Sequence, residues 1–155
     1  MVWMAIKVVL IIAALAVVVV LAALALNRPP LFDAPGIGTR LKTYFTTHTA
    51  ELREDHAFPE LRLRRDARTP EVLLADAQQA VQALGWTLEQ DREAGSLHAV
   101  VTSRLWRFKD DVYITVRGDA HGSEVYIRSQ SRVGRGDLAA NQRHVLDLLA
   151  GMNVD

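Results

Sequence analysis

The chain has 155 residues, no cysteine, and 18 basic against 18 acidic side chains, so its formal net charge is zero. Balanced charge provides no broad cationic surface of the kind that binds nucleic acid, which is therefore not an expected partner. The absence of cysteine excludes disulfides, thiolate metal sites and thiol nucleophiles.

The first predicted element is a membrane-spanning helix. Residues 8–26 carry no polar or charged side chain, and at about 1.5 Å per helical residue this run can cross a hydrocarbon layer of roughly 30 Å. Lys7 and the small residues Ala23 and Ala25 would also suit a cleaved signal peptide. The apolar stretch of a signal peptide is only about 7 to 15 residues long, so an uncleaved signal anchor over residues 1–26 is favoured.

The charges that flank this helix bear on its orientation. Lys7 precedes it, whereas Arg28, Arg40 and Lys42 follow it. The positive-inside rule, taken alone, would keep the following domain in the cytoplasm.

The remaining chain has the size of an ordinary single domain and can bury a core without disulfides.

Residues 27–68 are interpreted as an extended connecting arm. Their prolines and glycines leave room for only one short helix, over residues 39–47. These helix-breaking residues are Pro29, Pro30, Pro35, Gly36, Gly38 and Pro59.

Residues 69–155 show the pattern of an α+β domain. Thr69 can cap a helix, Pro70 suits its first turn, and Gly85 follows its last apolar residue. Alternating apolar residues then predict two antiparallel hairpins, with turns at residues 94–96 and 118–122. A last helix is predicted from Asp137 to Gly151. The expected fold is a two-layer domain with a four-stranded antiparallel sheet and two packing helices behind a single transmembrane helix.

Polar residues concentrate between the fourth predicted strand and the last helix. If the second hairpin pairs symmetrically about Ala120, Asp111 lies opposite Ser129 and Asp110 beside Gln130. Asn141 falls on the helix face that meets the sheet, where a buried amide needs partners. The candidate binding residues are Asp110, Asp111, Arg128, Ser129, Ser131, Arg132, Arg135, Asp137 and Asn141.

Two readings of this cluster compete. In the first, it is a hydrogen-bonded latch in which Asp137 caps the last helix, Asn141 holds the loop, and one aspartate pairs with an arginine. In the second, the arginines bind an anion or small ligand near a helix N-terminus. The latch is favoured because a carboxylate at position 137 would occupy the amide donors that an anion needs.

Catalytic and metal-binding patterns are weak. Asp110 or Asp111 with Ser131 could serve a hydrolase, but neighbouring residues on a strand point to opposite faces, and no histidine relay or nucleophile elbow is evident. The five histidines show no paired spacing typical of a metal site. No catalytic residue, metal or cofactor is therefore predicted, and an enzyme is the less favoured class.

The residues Phe108-Lys109-Asp110-Asp111-Val112, together with the run from Ile127 to Asn141, closely resemble the bacterial and plant family called domain of unknown function 1499. Phe58 to Leu61, Trp86 and Leu97 to Ala99 extend the resemblance over most of the soluble domain. The chain departs at Ala139, where many relatives look to carry glycine. The resemblance implies no activity, but it implies an exported domain behind an N-terminal anchor.

These observations predict a membrane-anchored accessory protein. We expect residues 8–26 to span the inner membrane as a single pass and the domain to lie on the periplasmic side. The predicted role is non-catalytic binding of a membrane protein partner or complex. A hydrolase built on the Asp110/Asp111 and Ser131 region, or a binder of lipid or another small molecule between sheet and helices, is the alternative.

Overall fold

The computed structural model describes residues 1–89, 95–103, 107–120 and 122–154. Its first element, helix α1, runs from Val2 to Asn27. The 26 residues would extend for about 39 Å, and none of them is buried. Within the described ranges α1 alone is long and apolar enough to span a membrane.

The sheet has six strands, all paired antiparallel in the order β1-β6-β5-β4-β3, with β2 beside β1 on the open edge of β6. The strands are β1 (Thr49–Glu51), β2 (Arg64–Asp66), β3 (Thr87–Glu89), β4 (Ser96–Thr102), β5 (Lys109–Asp119) and β6 (Gly122–Ser131). The predicted α+β class and the antiparallel sheet are confirmed. The prediction of four strands was two short, because residues 49–66 also contribute β1 and β2.

Three α-helices follow α1 along the chain. They are α2 (Ile37–Thr46), α3 (Pro70–Ala83) and α4 (Ala140–Gly151). A 3-10 turn lies at Pro59–Leu61. Helix α3 begins after Thr69 as predicted, although the Thr69 side chain does not cap it, and Gly85 takes the left-handed conformation beyond its end. Helices α3 and α4 pack on one face of the sheet.

The core lies between that face and the two helices. From the sheet come Val112, Ile114 and Ile127, and all three are almost completely buried. Leu73 on α3 and Leu148 on α4 oppose them. Each such side chain contributes roughly 1.5 to 3 kcal/mol through removal of its apolar surface from water, so this layer fixes the helices on the sheet.

The register of the second hairpin differs from the symmetric pairing about Ala120. Asp119 pairs with Gly122, so Asp111 lies opposite Gln130 and Asp110 opposite Ser131. The prediction that Asp111 faces Ser129 was therefore wrong by one residue. A shift of one residue exchanges the two faces of a strand, so the correction decides which motif residues can meet. Residues 90–94, including part of the predicted first turn, lie outside the described ranges.

The loop between β6 and α4 runs against the end of α2. At Gly136 there is no room for a side chain, because an added Cβ would lie within 2.9 Å of the Phe45 Cα and closer still to the Phe45 carbonyl. The backbone N–H of Leu138 donates to the Tyr44 carbonyl at 3.0 Å. These contacts fix the loop on α2.

We predict that Gly136→Ala destabilises the domain by about 1 to 3 kcal/mol, because backbone cannot move aside as a flexible side chain can. Gly38→Ala is the matched control, since nothing lies within 4 Å of the added methyl group and position 38 is helical. Chemical denaturation of the detergent-solubilised chain measures both. Equal stability of the two variants would contradict the close contact.

Candidate functional site

Strand alternation divides the candidate residues into two sets. Asp110, Ser129 and Ser131 point from β5 and β6 towards α4, in line with the core residue Val112. Asp111 pairs with Gln130 on the opposite face, where Tyr113 and Arg128 are exposed. The cluster that appears continuous in sequence is therefore an inner group and an outer group separated by the sheet.

The inner group is organised by Asn141, whose side chain is completely buried. Its Oδ1 accepts a hydrogen bond of 2.6 Å from Ser129 Oγ. Its Nδ2 lies 2.9 Å from the His48 carbonyl, 2.8 Å from Ser131 Oγ and 2.6 Å from Asp137 Oδ2. The amide has only two hydrogens, so these three acceptors share them. Asn141 thereby joins β6, the loop, α4 and the residue that precedes β1.

Asp137 completes this group from the loop. Its Oδ1 accepts from the Ala139 N–H at 2.9 Å, and its Oδ2 accepts from the Asn141 N–H at 3.3 Å. It therefore satisfies amides at the start of α4 as predicted, although the helix begins at Ala140 rather than at Asp137. Burial raises the pKa of the Asp137 carboxyl, and the donors from Asn141 and Ala139 oppose that rise.

The backbone conformation at Ala139 is one that glycine would suit, although this sequence has alanine there. Ala139 has φ of 69°, a left-handed conformation that glycine adopts with less strain than alanine. Its methyl group is nevertheless almost fully buried in the core. The chain thus keeps a packed side chain at a position whose backbone geometry suits glycine.

The histidine near this group is not placed as a catalytic base. Because the Ser129 hydroxyl gives its hydrogen to Asn141, the 3.3 Å contact between Ser129 Oγ and His144 Nδ1 requires the imidazole to donate. The same Nδ1 lies 3.8 Å from Asp110 Oδ2. A serine nucleophile would instead need the imidazole to accept its proton. Burial lowers the pKa of His144, which favours the neutral ring.

In the outer group, Asp111 is held by two partners. Arg132 donates from Nε to Asp111 Oδ2 at 2.8 Å and from Nη2 to Asp111 Oδ1 at 2.6 Å. His98 Nε2 lies 2.8 Å from Asp111 Oδ1. Arg132 lowers the pKa of Asp111, with a smaller contribution from His98. The His98 ring stacks on Tyr113 at 4.6 Å. The predicted pairing of an aspartate with an arginine is confirmed for Asp111.

Two arginines of the candidate set are more exposed. Arg128 donates to Gln130 Oε1 at 2.9 Å on the outer face and lies 3.9 Å from Glu51. Arg135 is exposed on the loop between β6 and α4. Asp110 faces His144 on the other side of the sheet, so of the two aspartates it is Asp111 that pairs with an arginine.

A buried ion pair beside the inner group was not predicted from the sequence. Arg40 of α2 is fully buried and binds Glu60 with two hydrogen bonds, at 2.6 and 3.0 Å. Gln142 of α4 donates to the same carboxylate at 2.8 Å, and Arg40 also donates to the Asp33 carbonyl. The only signal was that Glu60 lies within the segment from Phe58 to Leu61 that resembles the family.

Of two cavities in the described part of the chain, neither gives the candidate residues room for a large ligand. A cavity of about 30 Å³ between α2, β1 and the start of α4 includes Asp137 in its wall, and its volume suits only water. A larger groove of about 580 Å³ lies between Trp86 and Arg107 and includes none of the candidate residues. Within the described ranges, no group of three or more His, Asp and Glu side chains could hold a metal ion.

The class that these features define is an α+β domain behind an N-terminal apolar helix, with an inner polar latch and an uncovered outer sheet face. The model of the family Protein of unknown function (DUF1499) matches residues 23–152, and the chain belongs to this family. A comparison with curated proteins finds no match.

We predict that Asn141→Ala destabilises the domain by about 2 to 4 kcal/mol, because it leaves Ser129, Ser131 and the half-buried carboxylate of Asp137 without their shared partner. The matched control is Arg143→Ala on the same helix. It removes only an exposed i,i+4 pair with Asp147 and should cost about 0.5 kcal/mol or less. Urea unfolding in detergent measures both, and a similar small loss for the two variants would refute the latch.

A second prediction concerns pH. Arg132 lowers the pKa of Asp111 in the folded domain. The ion pair therefore stabilises the domain at a pH above 3.8, the usual pKa of aspartate, and this stabilisation is lost as the pH falls through the lowered pKa. Arg132→Gln should therefore destabilise the domain at neutral pH and progressively less in acid. Arg135→Gln, on the same loop, should show no such pH dependence. A constant effect of Arg132→Gln over this range would contradict the ion pair.

Proposed function

We propose that this protein is a membrane-anchored, non-catalytic accessory domain that binds a partner protein of the same membrane on its outer sheet face. Helix α1 is the retained anchor in the inner membrane, and the domain lies on the periplasmic side. The observation that carries the proposal is the division of the motif, with its inner half closed by internal hydrogen bonds and its outer half exposed.

Several contacts support a non-catalytic role. Ser129 and Ser131 are both hydrogen-bonded to Asn141, and Ser129 is completely buried. Asp110 and Asp111 lie on opposite faces, so they cannot act on one substrate atom as an acid and base pair. Asp111 is already neutralised by Arg132. The hydrolase alternative therefore lacks a serine, a base and a carboxylate that converge.

The composition of the outer face supports a protein partner. Tyr113 is 46% exposed at its centre, with Arg128 beside it on β6. Tyrosine and arginine are enriched among the residues that contribute most to protein–protein binding. The neighbouring ion pair of Asp111 and Arg132 fixes the surface before binding, which reduces the entropy lost on association. A flat, preorganised polar surface suits another protein better than a small molecule.

The proposed location rests on the first helix and on the resemblance noted in the sequence. Helix α1 has the length and composition of a membrane span, and Asn27 at its end is bonded to the domain, as expected for a retained segment. The positive-inside rule would place the domain in the cytoplasm, whereas the resemblance implies export. The periplasmic side is the proposal that the experiment must decide.

Single cysteines provide a direct test, because the natural chain contains none. Lys109→Cys places a thiol on the exposed edge of the outer face and keeps Tyr113, and Val72→Cys places one on the exposed side of α3. In cells with a permeabilised outer membrane, a membrane-impermeant maleimide should label both. A thiol-to-amine cross-linker should then give a discrete heteromeric product from position 109 but not from position 72.

The proposal has two separate points of failure. Labelling only after lysis of the inner membrane would place the domain in the cytoplasm. Recovery of the chain alone, or identical products from both positions, would exclude a partner on the outer face. Arg128→Glu in the Lys109→Cys background should abolish the product without changing maleimide labelling.

A further inference from the structure

The end of α1 packs against the domain instead of projecting freely from it. Val20, Ala23, Leu24 and Asn27 are the partly shielded residues of the helix, and their spacing places them on one face. Leu24 packs against the core, and Asn27 Nδ2 donates to the Leu138 carbonyl at 2.8 Å. The last two turns of the helix are therefore docked beside the loop that carries the motif.

This docking is important because the same turns belong to the apolar run. Residues 8–26 extend for about 28 Å, slightly less than the thickness of the hydrocarbon core of a bilayer, which is about 30 Å. Almost the whole run is therefore needed to span that core. Val20 lies about 10 Å below Asn27 along the helix axis. If the whole run is in hydrocarbon, the part of the domain that touches its last two turns must reach the boundary between the lipid headgroups and the acyl chains.

The surface at this end of the domain has the side chains that such a depth requires. Phe32 and Val133 are the two most exposed large apolar side chains after α1 in the described ranges, at 85% and 68%. Phe32 follows the helix end by five residues, and Val133 belongs to the loop that contacts Asn27. Ile37 and Phe45 of α2 are also exposed.

Contacts between the segments place these residues at one end of the molecule. Leu138 joins Asn27 to Tyr44, because its carbonyl accepts from the former and its N–H donates to the carbonyl of the latter. Gly136 lies against the backbone of Phe45. Arg40 binds the carbonyl of Asp33, the neighbour of Phe32. The start of the arm, α2 and the loop before α4 therefore form one surface around the end of α1.

We propose that this surface, defined by Phe32, Ile37, Phe45 and Val133, lies in the headgroup region of the bilayer that α1 spans. The inference deepens the proposed function and rests on α1 being a retained anchor. Apolar side chains that enter the boundary between headgroups and acyl chains gain the free energy of leaving water. The domain is thereby held in a fixed orientation rather than on a flexible tether.

The charges at this end suit lipid headgroups. Arg28, Lys42 and Arg135 are exposed around the apolar residues, and Asp33 is the acidic residue among them. Basic side chains near a membrane surface are attracted to anionic lipid. The same orientation places Arg132, which precedes Val133, close to the membrane and leaves the outer sheet face accessible to the ectodomain or span of a neighbouring membrane protein.

The test uses the full chain reconstituted into vesicles of phosphatidylethanolamine and phosphatidylglycerol. Single cysteines at positions 32 and 133 are labelled with an environment-sensitive fluorophore, and cysteines at Leu15 and Val72 serve as references for the span and for water. A lipid with a nitroxide near the headgroup end of its acyl chain should quench positions 32 and 133 at least about twofold more than position 72. Iodide in solution should show the reverse order.

The outcomes separate the inference from the proposed function. Lipid quenching at position 15, with positions 32 and 133 as open to iodide as position 72, would overturn the interfacial surface and keep the anchor. Shielding of position 133 from both quenchers would indicate contact with a second copy of the chain and would also overturn it. An absence of quenching at position 15 by a lipid that carries its nitroxide near the methyl end of the acyl chain would remove the anchor and both proposals with it.

Discussion

The side-chain amide of Asn141 is the constraint on which this corner of the protein depends. It lies in the low dielectric between sheet and helix, where a hydrogen bond is strong and an unpaired polar group is costly. Its partners come from β6, from the loop, and from the carbonyl of His48 just before β1. One side chain therefore sets how the arm, the sheet and the last helix meet. The carbonyl of Leu138, next to its partner Asp137, accepts from Asn27 at the end of α1.

This arrangement divides a dense polar motif between the two faces of the sheet. A strand exposes successive side chains to opposite faces, so a run such as Asp110-Asp111 serves two different environments. The inner residues satisfy one another and stabilise the fold, while the outer residues lie on an exposed face. In the proposed function, the outer face is the binding surface and the inner group determines its geometry.

The sequence was informative where local patterns decide the structure. Apolar composition identified α1, the boundary residues Thr69, Pro70 and Gly85 identified α3, and alternation with turn residues identified β3, β4, β5 and β6. The sequence did not reveal β1 and β2, because no hairpin turn joins these short strands to their partner and they form only where the long edge of β6 offers hydrogen-bonding groups. The hairpin register was missed because the length of the turn, which periodicity does not reveal, sets it.

The candidate site was predictable to a similar degree. Asn141 could be recognised as a buried amide from its position on the helix face, but two neighbouring features of the structure could not be predicted. The His48 carbonyl and the buried pair of Arg40 with Glu60 bring together residues that are distant in sequence, and no spacing rule links them. The carboxylate neighbours of His98 and His144 could not be predicted either, because they also come from other elements of the fold.

The most direct test of the central claim is nuclear magnetic resonance of the Asn141 side-chain amide in the detergent-solubilised chain. If this amide closes the inner half of the motif, its two protons should exchange with water far more slowly than those of the exposed Asn153, and scalar couplings across hydrogen bonds should connect its nitrogen to the His48 carbonyl or the Asp137 carboxylate. Rapid exchange of the Asn141 protons, at the rate of Asn153, would contradict the account.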